Sequence, residues 1–178
     1  MALLAAHTNA DVVQNGVSDV IAQKLGLTNT SPLTTGTAPG TGIGRVGELP
    51  AAITLGDLAR QLAELLPATA GGIKVSGEYA QQVQRVSLCG GAGDSLLSTE
   101  GVLGSDVYIT SDLRHHPAQE FREQALLTDG PALIDIAHWA AEWLWLDTAA
   151  EQLRSAFPHI EVVVSDLRTD PWDFVVVQ

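Results

Sequence analysis

The sequence predicts an α/β protein, a mixed sheet with covering helices, and three observations carry that expectation. From residue 84 onward, short β-branched runs alternate with helical periodicity in the order β-α-β-α-β, the pattern of parallel strands joined by crossover helices. Apolar residues make up 46% of the 178-residue chain and aromatic residues only 5%, so Ala, Val and Leu must do most of the packing, as in helices laid on a buried sheet. A helix at 54–66 is signalled on both ends: Thr54 stands as N-cap with Asp57 three residues on, Leu55, Leu58, Ala59, Leu62 and Leu66 share one stripe, and Pro67 stops it.

The remaining elements follow in chain order. Leu3 to His7 reads as the end of a buried strand without a turn before it, so we expect sequence to precede it. Val13, Val17, Val20, Ile21 and Leu25 fall at helical spacing, with Gly26 as the C′ residue that closes the helix. Residues 28–50, rich in Thr, Gly and Pro, read as loop with a short strand around Ser31–Leu33. Strands are expected at 72–76 and 84–89. A glycine-rich turn, Gly90 to Ser95, leads into a short helix. A strand at 106–110, a helix at 117–127, a strand at 131–136 and a long helix from His138 to Ala156 come next. Residues 160–164 and 174–177 are expected as closing strands. The chain divides into 1–35 as the rest of a first lobe, 36–50 as linker, and 51–178 as the remaining αβ elements.

The formal net charge is −12, which opposes binding to nucleic-acid phosphates or anionic lipids. The single cysteine, Cys89, excludes an intrachain disulfide and reads as a small core residue. No stretch resembles a membrane span or a signal peptide, and a cytoplasmic location is expected.

Four segments bear chemistry. His138 and Glu142 are four apart at a strand-to-helix junction, so both leave one helix face and can share a metal; an N-terminal His with a solvent-facing Glu has the same spacing. Trp139, Trp143 and Trp145 crowd the same helix and are expected to pack. His7 to Asp11 crowds the end of the expected first strand, where α/β sheets place ligands, although Asp11 serves equally as a helix cap. Asp112-Leu-Arg-His-His-Pro117 also follows a strand: His115 and His116 can be metal ligands, anion contacts or plain polar turn residues, and Arg114 suits a phosphate or carboxylate group. The turn at Gly90–Ser95 offers backbone N–H groups to an anion or simply uses glycine's freedom. Gly42-Ile-Gly-Arg-Val-Gly47 matches G-x-G-x-x-G but lacks the flanking strand and helix of a dinucleotide site, and is rejected as one.

In order along the chain, H-T-N-A-D (7–11), K-L-G-L (24–27), G-I-G-R-V-G-E-L (42–49), C-G-G-A-G-D-S (89–95), D-V-Y-I-T-S-D-L-R-H-H (106–116) and I-D-I-A-H-W-A-A-E (134–142) resemble the Nif-three-like dinuclear-metal proteins, also called GTP cyclohydrolase I type two homologues. The resemblance implies a two-lobed α/β fold lacking its N-terminal segment, and a toroidal homohexamer with metal pairs inside. Asp11, His138 and Glu142 then correspond to metal ligands, with His7 beside the metals. The family's further histidine ligands lie in an H-H-P segment upstream of H-T-N-x-D, which this chain does not contain; His115-His116-Pro117 is a different element. Ala137 and Ala141 replace the pattern's Gly and Thr. The implied cofactors are divalent ions (Zn, Fe, Mn or Co), two per subunit in the family. The implied activity is metal-dependent hydrolysis of a small molecule, with activated water attacking a purine ring carbon, His115 or His116 as candidates for proton transfer and Arg114 for anion contact. The alternatives are a non-catalytic metal-binding scaffold or an inactive truncated form.

Overall fold

A computed structural model describes residues 1–177. Its elements are α1 (Thr8–Val12), α2 (Val17–Lys24), β1 (Thr28–Ser31), β2 (Arg45–Thr54), α3 (Leu55–Leu65), β3 (Lys74–Ser76), β4 (Gln82–Ala92), α4 (Glu100–Leu103), β5 (Val107–Ser111), α5 (His115–Thr128), β6 (Ala132–Ile136), α6 (His138–Trp143) and α7 (Leu146–Ala156), with one 3₁₀ turn at Asp94–Leu96. The strands form one mixed sheet in the order β1-β2-β4-β5-β6-β3. β4, β5 and β6 run parallel, joined by the crossovers through α4 and α5, and the flanking pairs β2/β4, β1/β2 and β3/β6 are antiparallel.

Helices cover both faces, which is why β5 and β6 are buried at every position instead of alternately. On one face Val86, Leu88, Val107, Ile109, Ile134 and Ile136 pack under α2, α3 and α6. On the other, Tyr108, Cys89 and Leu133 pack under Leu96, Leu97, Val102 and Phe121. No described helix is long and apolar enough to cross a membrane.

Where local chemistry determines an element, expectation and structure agree. The Thr54 side chain accepts the Asp57 backbone N–H at 3.1 Å and caps α3. Gly26 adopts φ +72° just beyond α2, and the Leu27 N–H closes on the Ala22 carbonyl at 2.9 Å.

Corrections concentrate where pairing is long-range. Residues 3–7 form no strand: Leu3 and Leu4 are exposed, no described strand lies beside them, and Thr8 instead opens α1. Residues 45–50, expected as loop, are the first half of β2. The Gly and Pro that masked it are tolerated because the pairing to β4 slips between Glu48 and Ile53, around Pro50, which has no N–H to give. The short strand lies at Thr28–Ser31, slightly before its expected place. β4 runs on through Ala92, consuming half of the expected glycine turn. The helix expected from 138 to 156 is two helices broken at Leu144–Trp145. Residues 160–164 and 174–177 form no strand.

The rejected G-x-G-x-x-G has a structural use. Arg45, 2% exposed, pairs with Asp19 of α2 and donates to the carbonyls of Gly42 (2.7 Å), Gly44 (2.7 Å) and Val13 (3.1 Å). Gly42 (φ +146°) and Gly44 (φ +67°) bend the chain so that these carbonyls face one guanidinium. A Cβ on Gly42 would fall 1.7 Å from the Thr34 carbonyl oxygen. The segment therefore fastens the N-terminal helices to the sheet.

Candidate metal-ligating site

The parallel register sets Ala92 beside Ser111 and Ser111 beside Ile136, so the carboxyl ends of β4, β5 and β6 lie in line. At these ends or just beyond them lie Gly91, Asp112 and the first residue of α6, His138. Three residues far apart in sequence thus meet at the sheet edge where open α/β folds gather ligands.

His138 is held on both sides. Its Nδ1 lies 2.6 Å from Asp112 Oδ2 and its Nε2 lies 2.9 Å from Glu142 Oε1. The second contact follows from four-residue spacing on α6; the first needs β5 and β6 to be neighbours. The Glu142 hydrogen bond, more than the Asp112 one, favours the charged imidazolium and outweighs partial burial, so the His138 pKa is pushed up to about 9. Gly91 makes the room. A Cβ there would sit 3.4 Å from His138 Nε2 and 3.9 Å from Glu142 Oε1, over the middle of the pair.

Asp11, on α1, faces this pair across a cleft of about 420 Å³ whose lining includes His7, Asp11 and Glu142. Burial raises the Asp11 carboxyl above its usual range, and the charge of Glu142 raises it further, while His7 and His138 pull it down. His7 Nδ1 is 3.2 Å from the hydroxyl of Thr8. Trp139, Trp143 and Trp145 wall the cleft as expected of packing residues, and the Trp145 indole N–H donates to the Asn15 carbonyl at 3.0 Å.

Asp11, His7 and Glu142 therefore line one cleft, and His138, which lines the neighbouring one, adjoins it through its contact with Glu142. Among the described residues, no three His, Cys, Asp or Glu side chains converge tightly enough to hold an ion unaided. Two carboxylates and an imidazole are the right kinds of donor for a divalent cation. In this conformation, however, His138 Nε2 is engaged by Glu142.

The other candidates lie apart from this pair. Arg114 donates to Asp94 through Nε and Nη2, each 2.6 Å from Oδ2, so its charge is already matched. His115 and His116 begin α5, their rings 5.3 Å apart edge-on. His115 lines a different cleft, which includes Lys74, Arg122 and Asp135. In the glycine segment part of the backbone is already engaged. The Gly90 N–H donates to Ser18 Oγ, and the carbonyls of Gly91 and Gly93 accept from Thr110 and Tyr108. Cys89 is buried, and burial pushes its thiol up, as suits an inert core residue. Asp112 escaped the sequence reading although its segment was singled out. Its position directly after β5, at the same edge as His138, was the available signal.

Comparison with known proteins gives a consistent picture. The family model described as Duf34/NIF3 (NGG1p interacting factor 3) matches residues 1–171. A Streptomyces coelicolor protein named GTP cyclohydrolase 1 type 2 homolog is 43% identical over 179 residues, covering 97% of this chain and 61% of that protein. A Mycobacterium leprae protein of the same name is 45% identical over 133 residues, covering 74% of this chain and 34% of that one. The chain thus spans less than two thirds of the length of these relatives. A crystal structure of a Bacillus cereus protein related to NIF3 superposes with a TM-score of 0.80 at 20% identity, covering 96% of this chain and 73% of that one.

Proposed function

Because the chain belongs to the Duf34/NIF3 family, we propose that it supplies one side of a divalent-metal site, through Asp11, His138 and Glu142, with His7 beside them. The observation that carries this reading is the His138–Glu142 pair at the strand ends, with Gly91 clearing space over it and Asp11 facing it. A bound divalent ion supplies Lewis acidity and lowers the pKa of water there. In the finer reading the whole protein is a GTP cyclohydrolase-like hydrolase of a small molecule, carries two such ions (Zn, Fe, Mn or Co) per subunit, and assembles as a homohexamer in the cytoplasm. What this chain's residues do is bind and orient: His138 gives up its Nε2 proton and the Glu142 contact to become a ligand, and Asp11 and Glu142 balance the cation's charge.

A second reading, metal binding without turnover, is favoured by one observation. The proton-transfer candidates His115 and His116 lack a contact with the pair, and Arg114 is spent on Asp94. Elemental analysis of purified protein after zinc or manganese dialysis, with His138→Ala beside it, tests the site. Near-stoichiometric metal that is lost in the variant supports it, and equal loading of both removes it. GTP hydrolysis measured on the loaded protein then separates the two readings, and its mass in solution tests the hexamer.

A further inference from the structure

We infer that Asp112 is a positioning residue, holding His138 in the ring orientation and tautomer that leaves Nε2 for the metal. The inference rests on the metal reading above and adds to it a residue outside the expected ligand set.

Three observations support it. The Asp112 carboxylate lies 2.6 Å from Nδ1, and among the described residues its oxygens meet no other hydrogen-bond partner. An Nδ1–H donated to Asp112 places the remaining lone pair of a neutral ring on Nε2, toward Glu142 and the space over Gly91. Second, the Asp112 side chain is 61% exposed, so its removal orphans no buried group and unsettles no core. Third, Asp112 has φ +53°, in the left-handed region where glycine is cheapest and Asp is tolerated with strain. Backbone stability alone is best served there by glycine. The carboxylate is what the position offers beyond that, and its only hydrogen-bond partner among the described residues is His138.

Strain and function can therefore be pulled apart with Asp112→Gly, Asp112→Asn and Asp112→Ala, measuring zinc affinity by competition with a chromophoric chelator, and the melting temperature, for each. Asp112→Gly keeps or raises the melting temperature while zinc affinity falls on the order of 10–100-fold, the usual cost of removing a carboxylate behind a ligating histidine. Asp112→Asn tolerates the left-handed backbone, and its amide oxygen still accepts from Nδ1–H, so affinity returns toward wild type. Asp112→Ala loses both. A ¹⁵N-resolved proton spectrum gives an independent readout, with a downfield His138 Nδ1–H present in wild type and Asp112→Asn and absent in Asp112→Gly.

Equal zinc affinity in wild type and Asp112→Gly overturns the positioning role while leaving the metal site standing. An Asp112→Asn as weak as Asp112→Ala also overturns it, because a negative charge or a direct bond to the ion would then be what matters. Wild-type protein that binds no zinc at all fails at the earlier step and removes the metal reading itself.

Discussion

Replacing Arg45 with methionine gives the sharpest test of how the site is anchored. The side chain is 2% exposed and, though longer than methionine, only modestly larger in volume, so the change removes charge and donors more than volume. It strips the partner from Asp19, whose side chain is 16% exposed, and the donors from the carbonyls of Gly42, Gly44 and Val13. Removing one member of a buried ion pair costs about 3–5 kcal/mol. Asp19 keeps the Asn15 backbone N–H at 2.8 Å, which argues for the lower end. About 3 kcal/mol translates into a melting temperature roughly 6–12 °C lower for a chain of this size. Urea unfolding followed by circular dichroism measures it, with Asp19→Asn and the double variant completing a cycle. The double variant should lose less than the two singles summed, because either single already breaks the shared contact. A loss below about 1 kcal/mol, or simple additivity, would refute the reasoning. Val13 directly follows α1, so loosened Arg45 contacts should also weaken metal binding through Asp11.

Three further outcomes are expected. Gly91→Val should fold normally, since the added Cβ meets His138 Nε2 at an ordinary 3.4 Å, yet lose metal loading because the branched side chain fills the space over the pair; elemental analysis with a melting curve checks both halves. The folded pKa of His138 lies above its unfolded value of 6.5, so its pairing stabilises the metal-free chain fully below about pH 6.5, and that contribution is lost as pH rises through about 9. Discounted for the exposure of Asp112 and Glu142, the loss is about 1–2 kcal/mol, read as a urea midpoint falling between pH 6 and 9.5 in wild type but not in His138→Gln. The same proton must leave Nε2 before metal enters, so zinc affinity should climb close to tenfold per pH unit up to about 9. Thr54→Ala removes the cap of α3 and should cost about 1 kcal/mol by the same denaturation assay.

The parts of this molecule legible in the sequence are those whose determinants lie within a few residues of one another. Thr54 with Asp57, Gly26 after α2, and the short, mainly apolar runs of β5 and β6 each declare their structure locally. The long strand β2 does not. Its Gly47 and Pro50 argue against a strand, and only the slipped pairing with β4 makes them acceptable. The expected strands at 3–7, 160–164 and 174–177 failed for the converse reason, since apolar residues in an extended run need a neighbour that the sequence pattern does not name. The site divides in the same way. His138 and Glu142 were legible as an i, i+4 pair whose meaning spacing left open, and the family resemblance pointed to metal. Asp112 becomes their neighbour only through the β5–β6 pairing, 26 residues from His138. His115 and His116, adjacent in sequence and suggestive as a pair, begin α5, and His115 is carried to another cleft.

The two margins of the sheet limit how these molecules can meet. β1 is four residues of Thr, Asn and Ser, all exposed, and β3 is three residues carrying Lys74, whose ammonium pairs with Asp135. Neither margin offers the long, flat, apolar ledge on which a foreign strand docks, and a charged lysine on a short border further discourages it. The backbone ladder therefore ends within the molecule, and copies that associate must do so through side-chain surfaces. The parallel strands whose tips hold His138 and Asp112 then stay in the interior of their own sheet, shielded from exchange with a neighbour.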